Sequence, residues 1–219
     1  MTMTTRSSIS GAAWMSRTGR AGTLAAAALA VATALAFGPA ARAAPSDPAA
    51  ARVDTFDNAL LDTMKSGAPV RERARRMTPA VTAAFDLATM TRFTVGPKWT
   101  QLTPAQQGAL TAAFTRLTVA SYAHNFGSYG GERFELDPTV QTRGADKIVQ
   151  SRLLPAHDKP VNLLYRMRQT ADGWKIIDVY YNGVSQLTTR YADFAQPMAS
   201  GGAAGLLSHL DALTEKLLK

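Results

Sequence analysis

The chain contains no cysteine. That excludes a disulfide framework, a thiolate nucleophile, a Cys-ligated metal and the modified cysteine by which an exported lipoprotein is anchored. Histidine is nearly as scarce, with His124, His157 and His209 as the whole set. They fall on a predicted helix, in the loop "AHDKP" and near the C-terminus. No His-x-x-x-His or Glu-x-x-His spacing links them, so neither a zinc nor an iron site is expected. His124 reads as a boundary or core histidine of its helix. No Gly-x-Ser-x-Gly elbow occurs, because "NGVSQ" lacks the second glycine. The glycines of "FGSYGGERF" lead into a strand without a Gly-Lys-Ser/Thr, so no phosphate loop is expected either. No cofactor follows from any of these patterns.

Acidic residues are also in deficit, 16 Asp+Glu against 24 Lys+Arg, for a formal net charge of +8. Part of that excess sits in the first residues. Positions 1–20 carry Arg6, Arg17 and Arg20 without an acid, followed by the uncharged apolar run "AGTLAAAALAVATALAF" and then Ala41-Arg42-Ala43. A basic start, an apolar core and small residues at the two spaced positions a signal peptidase reads make a secretory signal peptide over 1–43. The core, about 17 residues, is at the short limit for a membrane span, and a cleavage site follows at once. Arg17 and Arg20 are not adjacent, so a twin-arginine signal is not indicated. A mature chain over 44–219 of roughly 176 residues makes one domain, able to bury about 70% of its unfolded surface. Losing the four leader arginines brings the net charge from +8 to about +4. A nucleic-acid partner then loses both its electrostatic case and its compartment, and a soluble periplasmic protein is expected. The remaining basic excess suits a negatively charged partner or membrane surface.

Along the mature chain, "SDPAAARVDTFDNALLDTMKSGAP" predicts a helix capped by Ser46 or Asp47 and closed at Gly67, with Val53, Phe56, Leu60 and Met64 inward. "VRERARRM" reads as a solvated basic helix face. "TPAVTAAFDLATMTRFTVGPKW" predicts two short helical pieces. The first is capped by Thr78 with Pro79 at its start, and the second turns Leu87, Met90, Phe93 and Val95 inward. "LTPAQQGALTAAFTRLTVASYAHNF" carries the strongest helix signal: Thr103 as cap, Pro104 first, Gln106 at capping-box spacing, and Leu110, Phe114 and Leu117 buried beside Tyr122 and Phe126. Four strand-like runs follow, "ERFELDPTVQTRG", "KIVQSRLLP", "PVNLLYRMRQT" and "GWKIIDVYYNGVS", with Asp172-Gly173 a hairpin turn. Two further helical segments, "SQLTTRYADFAQPMAS" and "GGAAGLLSHLDALTEKLL", end the chain. There is no internal repeat and no long linker. Helices, then an antiparallel meander, then helices predict an α+β domain, with helices packed on one strongly curved four-stranded sheet of the cystatin-like or NTF2-like kind.

The last strand poses a problem. One phase carries Trp174, Ile176, Asp178 and Tyr180, the other Lys175, Ile177, Val179 and Tyr181. Both are largely apolar, so both faces need cover. Asp178 stands out among apolar neighbours, where a carboxylate needs a partner. It is a candidate general base of a cone-shaped isomerase, with Tyr165 or Tyr180 as oxyanion donor, or else an acceptor for nearby backbone or an arginine. Asp86 in "AAFDLAT" is explained as a helix cap.

The segment "FDLATMTRFTVGPKWTQLTPAQQGALTAAF" resembles a family that pairs Phe-Asp, a Trp and a "TPAQ"-type helix start. "GWKIIDVYYNGVSQL" resembles its W-x-x-x-D…G-V-S strand, and "FAQPMASGGAAGLLSHL" its GG-x-x-G-L tail. The resemblance, over about Ala51 to Leu213, is to the MlaC family, also called the toluene-tolerance family of auxiliary ABC-transport proteins. "MTRFTVGPKW", "GERFEL" and "SQLTTRYADF" are most similar to its hopanoid-associated HpnM branch. The resemblance implies a periplasmic carrier, not an enzyme, whose cargo is a phospholipid or hopanoid-type lipid. It also implies an inner-membrane ABC transporter with its substrate-binding subunit, and an outer-membrane lipoprotein complex, as partners. Tail-lining roles would then fall to Leu87, Met90, Phe93, Trp99, Phe114, Leu117 and Tyr122 on the helices. On the strands they would fall to Ile148, Leu163, Tyr165, Ile177, Val179 and Tyr181, with Val184 and Leu187 beyond. The physics agrees: an acyl chain of about sixteen carbons stands to lose on the order of 12 kcal/mol on leaving a bilayer unless the carrier offers an equally apolar site. An exported isomerase using Asp178 and a pure interaction module are the alternatives.

Overall fold

A computed structural model describes Pro45 and residues 47–219; the leader, its cleavage site and Ser46 lie outside the described residues. Helix α1, Pro48–Lys65, starts where the Asp47 side chain accepts the Ala49 N–H at 2.8 Å, and it stops before Gly67, which takes φ +58°. Helix α2, Val70–Ala84, runs straight through Thr78 and Pro79. The expected restart there does not occur. Thr78 spends its hydroxyl on the Ala74 carbonyl at 2.9 Å, and the exposed Pro79 leaves its unpaired carbonyl partner to water.

Helix α3, Leu87–Val95, is capped by Asp86, which accepts the Thr89 N–H at 3.0 Å, and a short 3-10 helix, Gly96–Gln101, follows. Leu87, Met90, Thr91, Thr94 and Val95 form its buried face. Phe93, expected inward, is instead 48% exposed, because six residues past Leu87 is well round the helix from it. Helix α4, Pro104–Asn125, opens on the full capping box between Thr103 and Gln106. Helix α5, Gln186–Leu217, is continuous past Pro197 and kinks at Gly202, whose φ of 56° and ψ of −148° are open to glycine.

Among the described residues, six antiparallel strands replace the four strand-like runs. The first run breaks at Asp137-Pro138 into β1, Arg133–Leu136, and β2, Gln141–Arg143, which both pair with the same edge of β3, Asp146–Leu154. Strands β4, Val161–Thr170, and β5, Gly173–Tyr181, extend the sheet, and a two-residue β6, Val184–Ser185, closes it in the order β1-β3-β4-β5-β6. The β5–β6 turn is Asn182-Gly183, both at positive φ, 47° and 86°; Asn-Gly between strands is the signal for this turn.

The two apolar phases of β5 are resolved by a β-bulge. Arg166 pairs with Asp178 and Met167 with Ile176, so Ile177 is an extra residue. The alternation resets across it. Ile176 and Val179 therefore face the same way, with Tyr165 and Met167, into the core shared with the helices. Ile177 and Asp178 lie together on the opposite face with Arg166. Neither phase is double-sided; one strand carries two half-phases.

Candidate functional site

The helices and the core face of the sheet enclose one apolar layer. Leu87, Met90, Phe114, Leu117, Leu163, Tyr165 and Val179 all belong to it, and Trp99, Tyr122 and Leu187 pack against it half-buried. Ile148 and Ile177 are buried but stand outside this cluster, on the other sheet face. Tyr181 and Val184 are 42% and 58% exposed. The register explains them: Ser151, Leu163, Tyr181 and Val184 form one cross-strand row, which leaves the covered part of the sheet at the β5–β6 hairpin.

The layer has two ends. At one, Phe56 meets Phe85 and Tyr122 edge-on with ring centres 5.0 Å apart, and Phe126 and Phe134 continue the aromatic row. At the other, Phe114 packs on Phe194 from α5 at 6.1 Å among aliphatic side chains.

The aromatic end contains a carboxylate that sequence reasoning missed. Asp57, fully buried on α1, accepts hydrogen bonds from Ser151 Oγ at 2.8 Å and Tyr165 Oη at 3.0 Å, binding helix to sheet. Burial, reinforced by the charge of Asp57, pushes the Tyr122 hydroxyl well above its ordinary range and does the same to Tyr165. A signal existed: Val53, Asp57, Leu60 and Met64 follow helical spacing, so Asp57 stands on the apolar stripe.

Asp178 has a structural occupation. It accepts from the Ser185 hydroxyl at 2.7 Å and from the Leu187 N–H at 3.0 Å, while Ser185 Oγ in turn accepts the Thr188 N–H at 3.0 Å. These bonds satisfy the start of α5 and tie it to β5. Of the two expected oxyanion donors, Tyr165 lies on the opposite sheet face with its hydroxyl on Asp57, so it does not pair with Asp178, whereas Tyr180 shares the Asp178 face two residues along β5. His124 ties the helix ends, with Nδ1 3.1 Å from the Leu217 carbonyl oxygen. The basic run of α2 is internally engaged. Arg73 donates to the Ala68 and Ala123 carbonyls, Arg75 and Arg76 pair with Glu72, and Arg71 with Glu215. Among the described residues, no group of three acidic or histidine side chains converges as a metal site, and no helix is long and apolar enough to cross a membrane.

The same layered architecture occurs in the solved structure of a phospholipid-binding protein from Ralstonia solanacearum in complex with a phospholipid. The two superpose with a TM-score of 0.70 at 25% identity, covering 79% of this chain and 100% of that one. Residues 54–212, from the middle of α1 to near the end of α5, match the family described as MlaC protein. With the family match spanning both the helical layer and the whole sheet, the chain belongs to the MlaC family.

Proposed function

We propose that this protein is a periplasmic lipid carrier, a binding protein and not an enzyme. It would hold the acyl tails of a phospholipid in the apolar layer between helices and sheet and shuttle them between an outer-membrane lipoprotein complex and an inner-membrane ABC transporter. The observation that carries this reading is the likeness, over the full length of the relative, to a protein captured with a phospholipid bound. The chemistry supports it. Leu87, Met90, Phe114, Leu117, Leu163 and Val179 offer an apolar end to the layer, where burying methylenes is worth roughly 0.8 kcal/mol each. Two of the buried carboxylates, Asp57 and Asp178, are engaged in holding helices to the sheet.

The finer reading, membership of the hopanoid-associated branch, rests on the segments "MTRFTVGPKW", "GERFEL" and "SQLTTRYADF". One experiment addresses both levels: native mass spectrometry, with solvent extraction, of the protein purified from the periplasm of a hopanoid-producing diderm host. We expect one lipid per chain, and its mass separates a glycerophospholipid from a hopanoid. A folded protein that arrives empty and acquires no lipid from phosphatidylethanolamine–phosphatidylglycerol vesicles would refute the carrier reading.

A further inference from the structure

Alternation along β3 and β4 puts a second set of side chains on the sheet face opposite the helix-packed core, where the end of α2 and the start of α5 reach only side chains of β5, Lys175 and Asp178. Two carboxylates on that face are each shared by two guanidiniums. Asp146, itself buried, accepts from Arg166 Nε at 2.6 Å and from Arg168 Nε and Nη2 at 2.7 and 3.0 Å. Glu135 accepts from Arg152 at 2.8 Å and from Arg133 at 3.4 Å. The Glu135 cluster keeps one positive charge in excess; at the Asp146 cluster the register also sets Asp178 opposite Arg166 and Lys175 opposite Arg168, which leaves the same excess of one on this face. The guanidiniums are pinned yet accessible, with the Arg166 side chain 43% and the Arg152 side chain 57% exposed. Ile148 pairs with Arg166 and Arg152 with Asn162, so the two clusters stand four residues apart along β3, about 13 Å. Between them Gln150, Leu164 and Tyr180 form one half-buried row across three strands.

We propose that this outer sheet face docks a protein partner through an acidic segment, with one apolar side chain of the partner against Leu164 and Tyr180 and its carboxylates on Arg152 and Arg166. Charge complementarity selects the partner: a planar guanidinium already oriented by one carboxylate presents its remaining N–H groups to a second in fork geometry. A membrane surface fits less well. It rewards side chains that insert, and the large exposed apolar residues, Phe93, Tyr129, Tyr181, Val184 and Tyr191, all lie off this face. The surface is independent of lipid carriage and would serve whether or not the apolar layer holds a lipid.

The test uses a fluorescein-labelled decapeptide of glutamates with one central leucine, titrated by anisotropy with the full mature protein at low salt. The variant is Arg152→Gln/Arg166→Gln. It leaves Glu135 with Arg133, and leaves both oxygens of Asp146 with Arg168, so no carboxylate loses its last partner. The control, Arg75→Gln/Arg76→Gln on α2, removes the same charge elsewhere, and circular dichroism checks folding of both. We expect wild-type binding that weakens with added salt, a roughly tenfold weaker affinity for the sheet variant and less than twofold for the control. Equal losses in the two variants, or no binding by wild type, would overturn the proposal. So would phosphatidylglycerol vesicles that bind in an Arg152- and Arg166-dependent way while the peptide does not, since the face would then be a membrane-docking one.

Discussion

Replacing Asp178 by asparagine or alanine asks whether that carboxylate performs chemistry or holds α5. In the structure it makes two charge-assisted hydrogen bonds, to Ser185 Oγ at 2.7 Å and to the Leu187 N–H at 3.0 Å. Asparagine keeps an oxygen for Leu187 but turns both bonds neutral. At a difference of about 1 kcal/mol per bond, Asp178→Asn should cost about 2 kcal/mol. Alanine leaves a buried N–H and a hydroxyl without their acceptor, for about 3–4 kcal/mol in total. For a domain of this size about 2–4 °C accompanies each kcal/mol, so Tm should fall by roughly 4–8 °C and 6–16 °C respectively. Ser185→Ala should be partly redundant with Asp178→Ala, because the two side chains act through one bond. Melting is followed by circular dichroism, and bound lipid per folded protein by mass spectrometry at a temperature where every variant is folded. The expected result is lower Tm with an unchanged lipid load. An Asp178→Asn protein with wild-type Tm would show that the latch carries no stability. If it also lost a turnover activity of the wild type, the carrier reading would fall with it.

Val184→Glu should fold and keep its lipid, since a side chain 58% exposed leaves a carboxylate hydrated, whereas Val179→Glu in the covered layer should cost several kcal/mol and fail to accumulate. A folded Val184→Glu protein with a lost load would put Val184 against the tails. Tyr165→Phe, which removes one donor from Asp57, should lower stability by about 1–2 kcal/mol in denaturant melts, and a neutral effect would mean the bond across the core is energetically idle. Acid should destabilise through Asp146. Burial opposes its charge, but the hydrogen bonds of Arg168 and Arg166 outweigh that and hold its carboxyl below the ordinary 3.8. A depressed folded pKa means the contribution is complete above pH about 4 and is lost as pH falls through the depressed value. Asp146→Asn should therefore flatten the decline of Tm below pH 4, and an unchanged acid limb would assign it to other carboxylates.

Much of this protein is legible without coordinates wherever the determining contacts lie within one turn of chain. Asp47, Asp86 and the Thr103–Gln106 box begin their helices through bonds spanning two or three residues, and Gly67 ends one by its own φ. The apolar positions 87, 90, 110, 114 and 117 follow from helical period alone, as does the α+β order. Local chemistry also misleads when it competes with packing, as at Pro79, where a helix already nine residues under way absorbs the missing donor.

What only the tertiary structure decided is the facing of the sheet and the partners of its charges. The bulge at Ile177 has no local mark in "WKIIDVYY"; it exists because β5 must match β4 on both sides of Arg166, and it alone turns two ambiguous apolar phases into one buried face and one outer face. Asp57 stands on the apolar stripe of α1 by period alone, but its acceptor role depends on Ser151 and Tyr165, 94 and 108 positions away, arriving beneath it. The paired guanidiniums on Asp146 and Glu135 are likewise a product of strand register. Periodicity states which residues share a side of one element; which element comes to lie opposite depends on pairing between distant segments, and that is set by burial of the whole domain at once.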